Sequence, residues 1–177
     1  MLYIGQTAPN FAIKDIHSTK VSLLQNKYSF ISFHRFAACP FCVLRTRELI
    51  KAYPLFKQNN IEIISIWPSS TNNMLKYVGT ENTPFPMIAD DKKELFKKYH
   101  VLKSSGLSAL KLMLHPAHVY KALKGKYKNM EVDADPNLLP AEFLVSPKGE
   151  ILFTYYGKHF GDHVDIQQIL SIASRSN

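Results

Sequence analysis

The sequence predicts an α/β fold: a central mixed β-sheet with helices on both faces, an N-terminal β-hairpin and a helical insertion. Three observations predict it. Strand-like and helix-like stretches alternate along most of the chain, which is typical of a largely parallel sheet covered on both sides. Residues 141–156 instead form two predicted strands around the turn sequence SPKG at 146–149, so part of the sheet is antiparallel. The length, 177 residues, is usual for one domain, and we expect a single domain over residues 1–177.

The first predicted elements follow from local patterns. Residues 9–24 alternate apolar and polar side chains around a polar break and predict the hairpin. Residues 28–33 (YSFISF) and 61–67 (IEIISIW) are rich in β-branched and aromatic side chains, as buried strands are. Between them, apolar residues recur at helical spacing, and Pro40 suits the first position of that helix. Pro54 is expected to kink or end it.

The later elements continue the alternation. A polar helical stretch runs to about Val78, a strand is predicted at 85–90 (FPMIAD), and a helix at 92–101. The last helix is predicted over 164–174, where isoleucine and leucine recur at helical spacing. Residues at about 103–138 do not fit the alternation, and they predict an insertion with one or two short helices followed by a loop.

Composition excludes several classes of protein. The net charge is +8, from 22 basic and 14 acidic residues, and part of the lysine excess lies between residues 111 and 128. We interpret those lysines as a solvated helix face, because no basic run is interleaved with aromatic residues, and we expect no nucleic-acid partner. The apolar runs are far shorter than the ~18 residues of a membrane span, and the first residues lack the basic start of a secretory signal. We therefore expect no membrane partner and a cytoplasmic location.

The two cysteines of the chain, Cys39 and Cys42, lie where the predicted strand at 28–33 gives way to a helix. A cysteine there meets unpaired main-chain N–H groups and the positive end of the helix dipole, which favour the thiolate. The nearby arginines would act in the same direction if they point inward; they are Arg35, Arg45 and Arg47. Cys42 lies almost one turn further along, close enough to bond Cys39. The pattern predicts an exposed attacking thiolate with a more sheltered partner.

Two other interpretations of the cysteines stay open at this point. Both could be small hydrophobic residues of the core. They could also form half of a metal site, but structural zinc needs four ligands and the chain has no second C-x-x-C. The seven histidines include the pairs His115/His118 and His159/His163, and such pairs are more often surface or core residues than ligands. We expect no metal and no cofactor, and we interpret Asp162 as a helix cap followed by an exposed His163.

Five stretches, in their order and spacing, carry a family resemblance. They are GQTAPNFAIKD at 5–15 with KVSLL after it, FHRFAACPFC at 33–42, LHPAHVYKALKGKY at 114–127, LLPAEFLVSPKGEI at 138–151 and YYGKHFGDHV at 155–164. Together they resemble the peroxiredoxin-like branch of the alkyl hydroperoxide reductase/thiol-specific antioxidant (peroxiredoxin) family. The resemblance covers nearly the whole chain and implies a thioredoxin-like fold.

The resemblance implies a thiol peroxidase that reduces hydrogen or alkyl peroxides. Cys39 matches the peroxidatic cysteine, which would become a sulfenic acid, and Cys42 would then form a disulfide with it. A thioredoxin-like or other thiol reductant would reopen that disulfide. Many relatives associate, which is compatible with a homodimer. The residues that the resemblance places at the substrate are Arg35 beside the thiolate, Phe36, Pro40, and Pro140 at the position of a cis-proline.

Two departures from the family pattern favour an alternative function. Phe36 stands where the family usually has a threonine that orients the peroxide, and residues 139–141 lack the usual second arginine. The CPFC motif at 39–42 also resembles that of a glutaredoxin, so the alternative is a thioredoxin- or glutaredoxin-like disulfide oxidoreductase. A third interpretation is a non-catalytic redox sensor or binding protein. Disulfide formation between Cys39 and Cys42 under mild oxidant would argue against the third.

Overall fold

A computed structural model describes residues 1–23, 26–104 and 131–176. Its main sheet is built from β3 (Tyr28–Phe33), β4 (Ile61–Trp67), β5 (Met87–Ala89), β6 (Ala141–Val145) and β7 (Ile151–Tyr156). The strand order is β5-β4-β3-β6-β7. The pairs β3–β4 and β4–β5 are parallel, whereas β3–β6 and β6–β7 are antiparallel. The predicted mixed sheet is confirmed.

The predicted hairpin lies beside this sheet. It consists of β1 (Ala12–Lys14) and β2 (Lys20–Ser22), which pair antiparallel. The main-chain N–H of Ile16 donates to the carbonyl of Met87 (2.9 Å), so the hairpin is joined to β5. Its short strands therefore shield one edge of the sheet.

The helices lie on both faces, as predicted. They are α1 (Pro40–Gln58), α2 (Thr71–Lys76), α3 (Glu94–Lys98) and α4 (Ile166–Arg175), with a 3-10 helix at Val78–Glu81. On one face α1 and α4 pack with aromatic and aliphatic residues of the strands; this core includes Phe30, Leu49, Phe56, Ile63, Leu144 and Ile169. On the other face the core includes Ile31, Phe33, Ile64, Phe96, Tyr99 and Phe143.

A third core cluster lies at one end of the sheet and contains both cysteines. Its other buried members include Phe36, Trp67 and Met74. β3 and β4 end beside each other here, because Phe33 lies opposite Ile66 in their register. The carboxyl ends of parallel strands are where α/β proteins place their sites, and the fold thus brings the predicted site to that edge.

The first residues of the chain run along the beginning of β7. The N–H of Gly5 donates to the carbonyl of Ile151 (2.9 Å), and the N–H of Ile151 donates to the carbonyl of Gln6 (2.8 Å). The N–H of Ala8 reaches the carbonyl of Gly149 (2.8 Å). Residues 2–8 are thereby held to the hairpin formed by β6 and β7.

Some local predictions need correction, and others remain untested. α1 does not end at Pro54 but continues to Gln58, because its inner face is buried on both sides of the proline, with Phe56 as its last buried residue. The alternative, a kink at Pro54, stays a prediction. Most of the predicted insertion, residues 105–130, lies outside the described residues, and so do His115 and His118. The single domain stays a prediction. Within the described part of the chain, no helix combines the length and apolar character needed to cross a membrane.

Candidate active site

The site is built on the loop that joins β3 to α1, residues 34–39. Cys39 is the N-cap of α1 and has extended backbone angles (φ −67°, ψ 119°), while Pro40 occupies the first helical turn. The carbonyl of Cys39 accepts from the N–H of Val43 (3.0 Å), and the N–H of Cys39 donates to the carbonyl of Phe36 (3.0 Å). The sulfur of Cys39 therefore lies at the amino end of the helix, as the sequence pattern predicts.

Both cysteines are free thiols and both are buried. The exposed fraction is 0% for Cys39 and 1% for Cys42. The prediction of an exposed attacking cysteine is therefore wrong. Cys39 lies within the apolar cluster formed with Phe36 and Trp67, and the side chain of Arg35 lies against its sulfur.

Arg35 is the basic residue at the sulfur. Its Nη1 donates to Cys39 Sγ (3.3 Å), and its Nε donates to the carbonyl of Leu138 (2.9 Å). Its Nη2 donates to the carbonyl of Pro136. The guanidinium also lies 3.7 Å from the ring centroid of Phe160, a cation–π contact. Arg35 is only 5% exposed, so these contacts fix the position of its side chain.

The two thiols differ in acidity. Burial opposes ionisation of Cys39, but the Cys42 thiol hydrogen bond, the Arg35 charge and the N–H groups of Cys42 and Phe41 outweigh it, so its pKa falls to about 7. Burial raises the pKa of Cys42 well above its usual range, and donating its proton to the Cys39 sulfur raises it further. Near neutral pH about half of Cys39 is thus in the thiolate form, with a protonated thiol beside it.

The other two arginines of the motif point away from the thiols. Arg47 forms a two-bond ion pair with Glu81 (2.7 and 2.8 Å). Arg45 donates from Nε to Glu142 (2.9 Å). Arg45 and Arg47 would assist the thiolate only if they pointed toward it, and each instead pairs with a carboxylate.

The other residues predicted to bind substrate lie at or beside this loop. Phe36 is buried, with its ring centroid 5.3 Å from the guanidinium of Arg35. Pro140 is buried directly before β6 and contacts Gly157, where a Cβ would come within 2.8 Å of the proline ring. The peptide bond before Pro140 is trans, so the implied cis-proline is wrong.

A buried polar cluster under α1 was missed by sequence reasoning. The Glu142 carboxylate, fully buried in β6, accepts from Arg45, from Ser32 Oγ (3.2 Å) and from the N–H of Val164 (2.8 Å). It also contacts His163 Nδ1 (3.2 Å). Burial opposes ionisation of Glu142, but the charge of Arg45 and the contact with His163 hold its pKa well below the usual range. The sequence contains one sign of this cluster, which is a glutamate inside the otherwise apolar strand AEFLV.

The interpretation of Asp162 and His163 was wrong. Asp162 accepts from Tyr155 Oη (2.6 Å) and the N–H of Lys158 (2.7 Å), whereas Asp165 caps α4. The side chain of His163 is only 9% exposed because it contacts Glu142. Both residues have tertiary contacts that local sequence cannot indicate.

His34 is the other histidine under α1. It is fully buried and stacks on Trp67, with ring centroids 4.0 Å apart and planes 7° apart. Neither ring nitrogen has a hydrogen-bond partner among the residues that the structure describes. Burial lowers the pKa of His34 well below 6.5, and the neighbouring His163 lowers it further. The ring is therefore neutral at neutral pH. Among the described residues, no three His, Cys, Asp or Glu side chains lie close enough together to hold a metal ion.

Comparisons with known proteins agree with the fold. A sequence model described as the AhpC/TSA family matches residues 4–154. The putative peroxiredoxin ycf42 of Pyropia yezoensis is 26% identical over 119 residues, which cover 60% of this chain and 60% of that protein. The thiol-disulfide oxidoreductase ResA of Bacillus cereus is 29% identical over 102 residues, 56% of this chain and 58% of that protein. The chain thus spans about six-tenths of the length of these curated relatives.

Two solved structures share the fold across almost the whole chain. The peroxidoxin BcpB of Mycobacterium tuberculosis superposes with a TM-score of 0.72 at 12% identity, covering 100% of this chain and 99% of that one. The thioredoxin domain of a thiol-disulfide oxidoreductase from Bacteroides vulgatus superposes with a TM-score of 0.62 at 19% identity, covering 99% of each chain. The predicted thioredoxin-like fold is confirmed.

Proposed function

The chain belongs to the AhpC/TSA family, and from that premise we propose that it is a thiol peroxidase that reduces hydrogen or alkyl peroxides with Cys39. The observation that carries the proposal is the charge at the Cys39 sulfur. With a pKa of about 7 and Arg35 at 3.3 Å, a large fraction of Cys39 is an anionic nucleophile at neutral pH. Attack by a thiolate is the first chemical requirement of peroxide reduction.

In the first step the Cys39 thiolate attacks the terminal oxygen of the peroxide. An S–O bond forms and the O–O bond breaks, so sulfur is oxidised to a sulfenic acid and the peroxide is reduced. The departing hydroxide or alkoxide takes a proton and leaves as water or alcohol. Arg35 stabilises the thiolate before attack and the negative charge that moves onto oxygen during it.

In the second step Cys42 attacks the sulfenic sulfur. The S–S bond forms, the S–O bond breaks, and the departing hydroxide takes the thiol proton to leave as water. The existing hydrogen bond between the two thiols places the sulfurs next to each other for this step. Two thiols of an external dithiol then reduce the disulfide by exchange and are themselves oxidised to a disulfide. We propose a thioredoxin-like protein as that donor.

A disulfide oxidoreductase is the second candidate. Phe36, an apolar residue, stands where the family usually presents a hydroxyl to the peroxide, and Arg45 and Arg47 are both turned toward carboxylates. The relative ResA carries the name of a thiol-disulfide oxidoreductase. In this candidate Cys39 attacks a disulfide sulfur of a substrate protein, and Cys42 releases the mixed disulfide.

The deciding experiment follows the fate of the reduced protein with one equivalent of hydrogen peroxide. Stopped-flow fluorescence of the single tryptophan, Trp67, gives the rate, and intact mass gives the product. For a peroxidase we expect the mass of two hydrogens to be lost within seconds. Cys42→Ser is expected to gain one oxygen instead, and Cys39→Ser to stay unchanged.

The same samples separate the alternatives. No mass change over many minutes, but rapid loss of two hydrogens with oxidised glutathione, would replace the peroxidase with the oxidoreductase. No disulfide with either oxidant would exclude both enzymes and favour the redox-inactive binding protein. Equal peroxide consumption by the wild type and Cys39→Ser would contradict the mechanism outright.

A further inference from the structure

A covering segment, residues 131–138, lies across the loop that carries Cys39. The carbonyls of Pro136 and Leu138 both belong to this segment, and both accept from Arg35. With Nε and Nη2 occupied in this way, the remaining nitrogen, Nη1, is the one directed at Cys39 Sγ. Because a guanidinium is rigid and planar, fixing two of its donors fixes the direction of the third. The covering segment therefore aims the positive charge at the sulfur.

Asp133 ties the same segment to the site loop by a second route. Its Oδ1 accepts from the hydroxyl of Ser69 (2.9 Å), and that hydroxyl oxygen accepts from the N–H of Ala37 (2.9 Å). Its Oδ2 accepts from Nδ2 of Asn73 (2.8 Å), at the start of α2. Ser69 is fully buried, so solvent does not compete for its hydroxyl. The Ser69 hydroxyl donates its only proton to the Asp133 carboxylate. Its oxygen is thereby oriented as an acceptor for the N–H of Ala37, two residues before Cys39.

The neighbouring Asp135 provides an internal comparison. Its carboxylate pairs with Lys103 (2.8 Å), an exposed residue, and accepts from the N–H of Asn137 (2.9 Å). These partners lie outside the loop at residues 34–39. Two aspartates on one segment, two residues apart, thus have different targets: one holds the site loop, the other does not.

We propose that Asp133 is a positioning residue for Cys39, which holds the site loop through Ser69 and anchors the covering segment whose carbonyls direct Arg35 at the sulfur. Ala134 of the same segment packs against the apolar cluster that contains Cys39, so we expect Asp133 to affect access to the thiol as well. The inference deepens the proposed function because it concerns the same thiolate. The test of the role of Asp133 measures the Cys39 thiolate directly and needs no peroxide. The role of Asp133 and the proposed peroxidase function can therefore fail independently of each other.

The test is the pH profile of Cys39 alkylation by iodoacetamide, measured in the Cys42→Ser background so that a single thiol reacts. The midpoint of the profile reports the thiolate, and the limiting rate at high pH reports access to it. For Asp133→Ala we expect the midpoint to rise by at least half a pH unit and the limiting rate to increase at least threefold. Ser69→Ala removes the same link and is expected to change both quantities in the same direction.

Asp135→Ala is the matched control, and we expect a midpoint within 0.2 units, on the order of the precision of such profiles, and a limiting rate within about twofold of the parent. Asp133→Asn is the conservative variant. Its amide oxygen can still accept from Ser69, but its NH₂ group faces the amide donor of Asn73, so an intermediate shift is expected. If Asp133→Ala does not fold, the pH profiles of Asp133→Asn and Ser69→Ala test the positioning role of Asp133 in its place.

Two results would overturn the proposal. One is an unchanged midpoint and limiting rate in folded variants at Asp133 and Ser69. The other is an equal shift in Asp135→Ala, because that would trace the effect to general loosening of the segment and not to the link through Ser69.

Discussion

At the scale of single residues, Arg35 shows why the site needs a guanidinium. The side chain donates to two main-chain carbonyls and still presents a charged nitrogen to Cys39. A lysine has one nitrogen on a flexible stem and cannot span three acceptors in one plane. We therefore expect shape as well as charge to matter at this position.

Replacing Arg35 tests its contribution to the thiolate. In Arg35→Met the charge is lost while burial remains, so the pKa of Cys39 moves from about 7 back toward its ordinary range. The alkylation rate at pH 7 is expected to fall about five- to fiftyfold, the loss that a shift of one to two pH units from a pKa of about 7 causes. Arg35→Lys is expected to recover only part of it.

Arg47→Met is the control for removing one positive charge from the same motif. Arg47 is 42% exposed and pairs with Glu81, so the pH profile of Cys39 is expected to stay as in the wild type. A tenfold loss in Arg47→Met as well would show that net charge, and not contact, governs the thiolate.

At the scale of elements, the ion pair between Arg45 and Glu142 joins α1 to β6. Arg45 is 3% exposed and Glu142 is not exposed at all, so neither charge can be hydrated if the other is removed. Removing one partner of a buried pair typically costs about 3–5 kcal/mol, whereas replacing both by apolar residues costs much less.

Urea unfolding tests this prediction. Glu142→Leu is expected to lower the free energy of unfolding by about 3–5 kcal/mol, and the double variant Arg45→Met/Glu142→Leu to recover at least half of that loss. The half-buried pair of Arg47 and Glu81 serves for comparison, and its disruption is expected to cost clearly less than the loss of Glu142. A double variant as unstable as Glu142→Leu would show that the helix depends on the ion pair itself.

The elements themselves could be predicted from sequence, and the contacts between them could not. β3 and β4 have the predicted bounds because buried strands carry a local composition signal. The position of Cys39 at the start of α1 follows from the same local change of period. Arg45 and Arg47 look equivalent in sequence, yet Arg45 meets a glutamate 97 residues away. Arg35, the residue at the Cys39 sulfur, likewise donates to the carbonyl of Leu138, 103 residues away.

At the scale of the whole molecule, two buried ionisable groups make stability depend on pH. His34 has a folded pKa well below its ordinary value of 6.5, first because of burial and then because of the charge of His163. Arg45 acts in the same direction, whereas Glu142 opposes it. Below about pH 6.5 the unfolded chain binds a proton at His34 that the folded chain does not bind. The free energy of unfolding is therefore unaffected by His34 above that pH and decreases as the pH falls below it. Glu142, whose folded pKa lies far below its ordinary value of 4.5, adds a second loss of stability only below about pH 4.5.

His34→Phe tests the first of these windows. Phenylalanine keeps a ring to stack on Trp67 but takes up no proton. Between pH 7 and pH 5 the wild type is expected to lose up to about 1.4 kcal/mol per pH unit from this group, and the variant to lose correspondingly less. Denaturant unfolding across that range measures both slopes. Parallel slopes in the two proteins would place the proton uptake on another group.

The hydrogen bonds between residues 2–8 and the hairpin of β6 and β7 have a consequence for folding during synthesis. The N–H of Leu2 donates to Tyr156 Oη, a partner 154 residues away, and the ladder from Gly5 to Ala8 ends on Gly149 and Ile151. A ribosome adds roughly 5–20 residues per second, so the first residues wait between about 8 and 30 seconds before their partners have been synthesised. Residues 2–8 therefore cannot reach their native place before β7 has been synthesised, and until then they are open to chaperones and to proteases.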